Sequence, residues 1–152
     1  MIKYVDGDLL KMADNGDFDV IGQCANCFCT MGAGIAPQIK AKYPEAYAVD
    51  CATKKGDEFK LGTITYTENT TPIVVNMYGQ FDYTGRRSGK MDLDYKALQS
   101  ALKATKEKFS GKRFGFPMMG AGLAGGDWAI IEKIIEEEFR GEYVTIVRYV
   151  PE

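Results

Sequence analysis

One glycine loop occurs twice in this chain. Residues 31–36 read Met-Gly-Ala-Gly-Ile-Ala, and residues 119–124 read Met-Gly-Ala-Gly-Leu-Ala. Each copy follows an apolar, strand-like run and precedes a helix-like stretch, so the chain must build the same strand-to-helix junction at two places. Glycine tolerates positive φ and lets a ligand approach bare backbone N–H groups. A helix starting just beyond adds the positive end of its dipole. Two such junctions in 152 residues suggest two walls of a single slot that grips a diphosphate or two linked phosphates.

The remaining pattern interleaves strands and helices. Strands are expected at residues 1–5, 18–25, 61–67, 73–78, 113–118 and 143–150. Phe-Asp-Val-Ile-Gly-Gln-Cys-Ala over 18–25 is apolar enough to be buried on both faces. A single helical turn is expected at 9–13, and helices at 35–43, at 45–53, from Asp94 to about Phe109, and at 128–139. Pro37 is tolerated in a first turn. Tyr95, Leu98, Leu102, Thr105 and Phe109 form one apolar stripe, and Ile131, Ile134, Ile135 and Phe139 form another. Residues 79–90 form a polar loop carrying Arg86, Arg87 and Lys90. This order predicts one domain over residues 1–152, an α/β fold with a mixed sheet between helical layers. Ligands in such folds bind beyond the carboxyl ends of the strands. Both glycine loops and the loop after Tyr78 lie there.

The chain has no histidine. That excludes Ser-His-Asp and Cys-His machinery and every histidine general base. Catalysis must use Asp, Glu, Lys, Tyr, Cys, backbone N–H groups or the substrate itself. Nineteen basic against 21 acidic residues give a net charge of −2, which argues against broad electrostatic binding to nucleic acid. The N-terminus shows no signal-peptide pattern and no apolar run reaches membrane-span length, so the expected place is the cytoplasm. Cys24, Cys27 and Cys29 read as C-x2-C-x-C, but Cys51 stands far off without a partner pair. Reduced thiols near a buried strand end are therefore expected rather than a metal site.

Gly120 to Gly125 match G-x-G-x-x-G, the dinucleotide fingerprint. Only one further strand follows, however, and the acid such a site needs has only Glu152 as a candidate. That reading also leaves the first loop idle. Taken together, Gly7-Asp8-Leu9, Asn26 before Met31-Gly-Ala-Gly-Ile-Ala, and Gly120-Ala-Gly-Leu-Ala-Gly-Gly-Asp-Trp128 resemble the macrodomain family. The resemblance runs from Gly7 to about Phe139. It is greatest to small stand-alone members that process ADP-ribose 1″-phosphate and to the terminal ADP-ribose protein glycohydrolase branch.

The resemblance implies a three-layer α/β/α sandwich and a small-molecule ligand, ADP-ribose or a derivative, with ADP-ribosylated protein as a further partner and no cofactor. It implies that Asp8 accepts from the adenine amino group, with Leu9 beside it, and that Asn26 holds the distal ribose. Met31, Gly32, Ala33, Gly34 and Ile35 would wrap that ribose and the adjoining phosphate. Gly120, Ala121, Gly122, Leu123 and Ala124 would supply N–H groups to the diphosphate, with Gly122 expected at positive φ. Tyr78 would face the adenine or ribose, or cover the sheet edge. The bland readings are an N-cap for Asp8 and loop bracing for Asn26. Asn26 and Asp127 are the catalytic candidates, although Asp127 also stands where an N-cap is expected before Trp128. The glycohydrolase branch has an aspartate where this chain has Ala124, and a lysine in the loop that here offers only Lys90. Some phosphatase-like relatives have a histidine where this chain has Gln23. The implied activity is hydrolysis of the terminal phosphate of ADP-ribose 1″-phosphate. Removal of ADP-ribose from proteins and binding without turnover are the alternatives.

Overall fold

The computed structural model describes residues 2–150, with every side chain among them except those of Arg86 and Arg87; Met1 and Glu152, named above, lie outside the described residues. The elements run β1 (Ile2–Gly7), α1 (Leu9–Asp14), β2 (Val20–Cys24), α2 (Ala36–Lys42), α3 (Pro44–Cys51), β3 (Ile64–Tyr66), β4 (Ile73–Met77), α4 (Tyr95–Phe109), β5 (Arg113–Pro117), α5 (Trp128–Glu138) and β6 (Tyr143–Tyr149). They build one six-stranded sheet in the order β1-β6-β5-β2-β4-β3. Only β3 runs antiparallel to its neighbour; the other pairings are parallel.

Alternation along the strands divides the core in two. Val20, Val75, Phe114, Phe116, Val144 and Ile146 pack with Leu98 and Leu102 of α4 and Ile131 and Ile135 of α5. Ile21, Val74 and Val147, their neighbours in sequence, point the other way into a cluster with Leu9 and Leu10 of α1, Ile39 of α2 and Ala46 of α3. A period of two sends successive side chains to opposite faces, so helices cover both sides, and the layers are the α/β/α sandwich expected. Strand β2, buried through Val20–Gln23, sits between β4 and β5. All three run the same way, so the segments after Cys24, Met77 and Pro117 emerge side by side at one edge of the sheet.

One element departs from expectation. A strand over 61–67 was expected, yet β3 keeps only Ile64–Tyr66, behind a single 3-10 turn at Glu58–Lys60. Lys60 turns inward, 6% exposed, and Gly62 adopts a φ of +86°, which breaks the pleat before Thr63. Among the described residues no helix is long and apolar enough to cross a membrane.

Three aspartates fix helix starts. Asp8 Oδ1 accepts from the N–H groups of Leu10 (3.0 Å) and Lys11 (3.3 Å), Asp94 Oδ1 from Ala97 (3.0 Å), and Asp127 Oδ1 from Ala129 (2.9 Å). Each satisfies N–H groups that the first helical turn leaves without an intrahelical partner. Asp127→Ala is expected to lower stability by about 0.5–2 kcal/mol, measured as a shift in the urea midpoint at constant slope.

Candidate ligand cleft

The edge where the parallel strands end holds a cleft of about 620 Å³, within the roughly 300–1,000 Å³ of small-molecule sites. Its walls are residues 23–26 and 30–36 after β2, residues 117–120 and 122–124 after β5, and residues 80, 83, 84 and 92 of the segment after β4, with Asp50 from α3. Among the described residues its lining includes no lysine or arginine.

Both glycine loops line this space and leave backbone N–H groups unsatisfied. The N–H of Gly122 closes the turn over 119–121, while those of residues 32–35, 120, 121, 123 and 124 donate to no acceptor among the described residues. Such groups need water or an anion, and successive free N–H groups in a concave loop form an anion nest. Ideal Cβ atoms on Gly34 and Gly122 would meet nothing within 4 Å, so both positions look onto open space. The first loop also holds two non-glycine residues at positive φ, Cys29 (+59°) and Met31 (+41°). Backbone strain of this kind collects at binding loops.

The second loop differs from expectation in one respect. Positive φ falls on Gly120 (+79°) and Gly125 (+78°) and not on Gly122. A Cβ on Gly120 would also press on Leu93 at 3.1 Å, and one on Gly126 would lie 2.6 Å from the carbonyl oxygen of Gly120. Gly120, Gly125 and Gly126 shape the loop, whereas Gly122 keeps its outer face clear.

The structure gathers Asn26, Met31–Ile35, Gly120 and Gly122–Ala124 around the cleft. Asn26 braces the first loop: its Oδ1 accepts from Phe28 N at 2.8 Å and its Nδ2 donates to Thr30 Oγ1 at 2.7 Å. One amide hydrogen and one lone pair remain for a ligand. Asp8, Leu9, Ala121, Tyr78 and Asp127 are not among the lining residues. Asp8 and Asp127 cap helices, Leu9 is 3% exposed, and Ala121 packs on the core beneath the loop. Tyr78 is fully buried; its hydroxyl lies 2.8 Å from Thr65 Oγ1 and donates to Asp50 Oδ1 at 2.7 Å. Tyr83, further along, takes the aromatic place in the wall, propped edge-on against Phe28 with ring centroids 6.2 Å apart. Lys90 is exposed and outside the lining.

Sequence reasoning missed Gln23, Asp50, Gln80, Tyr83 and Asp92. Gln23 and Gln80 carry no motif. Asp50 sits in a helix whose contact with the cleft depends on packing. Asp92 spends both carboxylate oxygens on Gly85 N, at 3.0 Å each, which ties down the segment after β4.

The thiols diverge. Cys24 lies against Gln80 Oε1 (3.9 Å), Cys27 against the Gln80 carbonyl (3.6 Å) and Cys29 against the Asp50 carbonyl (3.2 Å). Among the described residues no group of three His, Cys, Asp or Glu could hold a metal ion. Burial pushes the Cys24 thiol up to about 12 and the Cys27 thiol up to about 11, so both are protonated at neutral pH and poor nucleophiles.

The model of the Macro domain family matches residues 23–135. A phage T4 protein described as an uncharacterized 17.5 kDa protein is 29% identical over 160 residues, covering 99% of this chain and 98% of its own. An ADP-ribose 1″-phosphate phosphatase from Debaryomyces hansenii is 26% identical over 90% of this chain and 93% of its own. A human ADP-ribose glycohydrolase is 28% identical over 97% and 90%. Among solved structures, a Bacteroides thetaiotaomicron protein of unknown function superposes with a TM-score of 0.79 at 28% identity, covering 97% of this chain and 98% of its own.

Two expectations follow. Gly122→Val folds with an unchanged circular dichroism spectrum but loses ligand affinity, whereas Gly120→Val, strained at positive φ and pressed on Leu93, loses melting temperature first. Exposed Cys51 reacts first with iodoacetamide at pH 8. Cys24, whose thiol burial keeps protonated, reacts more slowly until the protein is unfolded; peptide mass mapping reads the order.

Proposed function

This chain belongs to the macrodomain family, and on that premise we propose that it binds ADP-ribose derivatives and hydrolyses the terminal phosphate of ADP-ribose 1″-phosphate. The single observation carrying this reading is the pair of glycine loops with unpaired N–H groups, at 32–35 and around 120–124, lining one cleft whose described lining has no cationic side chain. A diphosphate bound there is neutralised by backbone dipoles. The loop after β2 encloses the distal ribose, where Asn26 has one donor and one acceptor left over.

In the reaction, water attacks the terminal phosphorus and loop N–H groups stabilise the charge gathering on the phosphoryl oxygens. The chain has no histidine base, and Cys24, the cysteine in the described lining, is held protonated by burial. Turnover is therefore slow, since a positioned acid or base ordinarily supplies about 10²–10⁴-fold. The phosphatase similarity spans nearly both chains, which supports the phosphate ester as substrate. Removal of ADP-ribose from an acceptor, the reading the human relative would suggest, is less favoured. Ala124 offers no carboxylate, and among the described residues no lysine lines the cleft to form an adduct.

Calorimetry with ADP-ribose, AMP and NAD tests the binding. ADP-ribose is expected to bind more tightly than either, because AMP reaches neither the second phosphate position nor the distal loop and NAD puts a nicotinamide where the loop should close. Equal affinities for ADP-ribose and NAD sink the reading. Phosphate release from ADP-ribose 1″-phosphate tests the chemistry. Asn26→Ala should reduce it by a larger factor than it reduces ADP-ribose affinity, the sign of positioning in the transition state. Lys90→Ala should leave it unchanged. Release of ADP-ribose from a modified protein, with Lys90→Ala the inactive variant, would put glycohydrolysis first. Tight ADP-ribose binding with no turnover would leave a binding module.

A further inference from the structure

Behind the first glycine loop lies a buried ion pair. Asp50 on α3 and Lys60 expose 2% and 4% of their side chains, and Lys60 Nζ sits 3.3 Å from Asp50 Oδ1. Tyr78 donates to that same oxygen at 2.7 Å, and Lys60 Nζ also lies 4.4 Å over the Tyr78 ring and 3.5 Å from Cys29 Sγ. Replacing a buried pair with apolar side chains of similar volume is often neutral or stabilising. An ion pair at a cleft wall therefore calls for a use other than holding the fold.

The use follows from the oxygen left over. Asp50 Oδ2 has no hydrogen-bond partner among the described residues, and Asp50 is one of the residues lining the cleft. A second free acceptor, Gln23 Oε1, is buried without a partner in the same lining. Its orientation is dictated by its neighbours. Asn76 Nδ2 donates to Ala46 O (3.0 Å) and Thr65 Oγ1 (3.1 Å), so Asn76 Oδ1 must accept, and Gln23 Nε2 supplies that bond at 2.9 Å. Thr65 in turn meets the Tyr78 hydroxyl at 2.8 Å. One buried network thus runs from Gln23 to Asp50 and leaves an acceptor free at each end. The acceptor left over on Asp50 suits water, which donates a hydrogen and keeps its lone pairs for an electrophile.

Elimination agrees. The carboxylates lining the cleft among the described residues are Asp50 and Asp92; Asp92 braces the segment after β4 through Gly85, whereas Asp50 is the one fixed by a buried lysine and tyrosine. We propose that Asp50 holds the attacking water, accepting its hydrogen bond on Oδ2 while Lys60 and Tyr78 pin Oδ1. This rests on the hydrolytic reading above. The water oxygen bonds to phosphorus, and the bond from phosphorus to the C1″ oxygen breaks with its electron pair going to that oxygen. One water proton stays on the released hydrogen phosphate and the other ends, through solvent, on the C1″ hydroxyl of ADP-ribose. Asp50 begins and ends the cycle as a carboxylate.

Asp50→Asn tests this. The amide oxygen still accepts from Tyr78 and Lys60, but an NH2 group replaces the acceptor facing the cleft. Turnover of ADP-ribose 1″-phosphate should fall by about 10²-fold or more, while KM and ADP-ribose affinity stay within about threefold, a split a purely structural pair does not produce. Because the single variant leaves Lys60 opposite a neutral group, Asp50→Asn/Lys60→Met removes the buried charge as well. It too should bind ADP-ribose and release no phosphate. Wild-type turnover by either variant, folded and binding normally, overturns the assignment. So does parallel loss of binding and turnover in both. If wild-type protein binds ADP-ribose and releases no phosphate, the hydrolytic reading fails first and Asp50's role falls with it; the unmutated protein alone tells these failures apart.

Discussion

The arrangement depends on one strand. β2 is buried along Val20–Gln23 and hydrogen-bonded to β4 on one side and β5 on the other, all three parallel. Parallel pairing forces each connection to cross over a sheet face and brings the three carboxyl ends to one edge. The two glycine loops, some ninety residues apart, become facing walls for this reason. An antiparallel β2 would put the first loop at the opposite edge and dissolve the cleft, whatever its sequence.

Within that frame, charge is handled by backbone rather than side chain. On the reading proposed above, the N–H groups left unpaired in the two glycine loops offer a neutral, directional site for anions, and glycine at 34 and 122 keeps Cβ atoms out of the way. A cluster of lysines would bind phosphate more strongly and less selectively, since a point charge sets no geometry. Of the charges that the described residues place here, Asp50 is paired with Lys60 and buried at the wall, and Asp92 holds Gly85. The pair adds little net field while fixing where an acceptor can stand.

The sequence revealed much of this and missed a definite part. The glycine loops, the doubly buried β2, the apolar stripes of α4 and α5, and Asp94 and Asp127 at helix starts were all legible, because each is a local matter of periodicity or turn chemistry. The shortened β3 was not. Its residues alternate well enough to be a strand, but positive φ at Gly62 breaks the pleat before Thr63, and Lys60 turns inward to Asp50. Tyr78 was misplaced for a similar reason. A strand-end tyrosine reads as a ligand platform until a buried carboxylate is found waiting for its hydroxyl. In the second loop, glycine at three nearby positions hid a division of labour that only backbone angles reveal.

By itself the sequence determined the layers, the order of elements and the presence of two anion-ready junctions, since propensity and pattern act over neighbouring residues. Tertiary structure decided which polar groups meet. Asp50 and Lys60 lie ten positions apart in an unremarked stretch, and Gln23, Asn76 and Thr65 come from three strands. Such contacts depend on sheet order and helix packing, which bring together residues that no local pattern links, and they settle which oxygen atoms are left free to face the cleft.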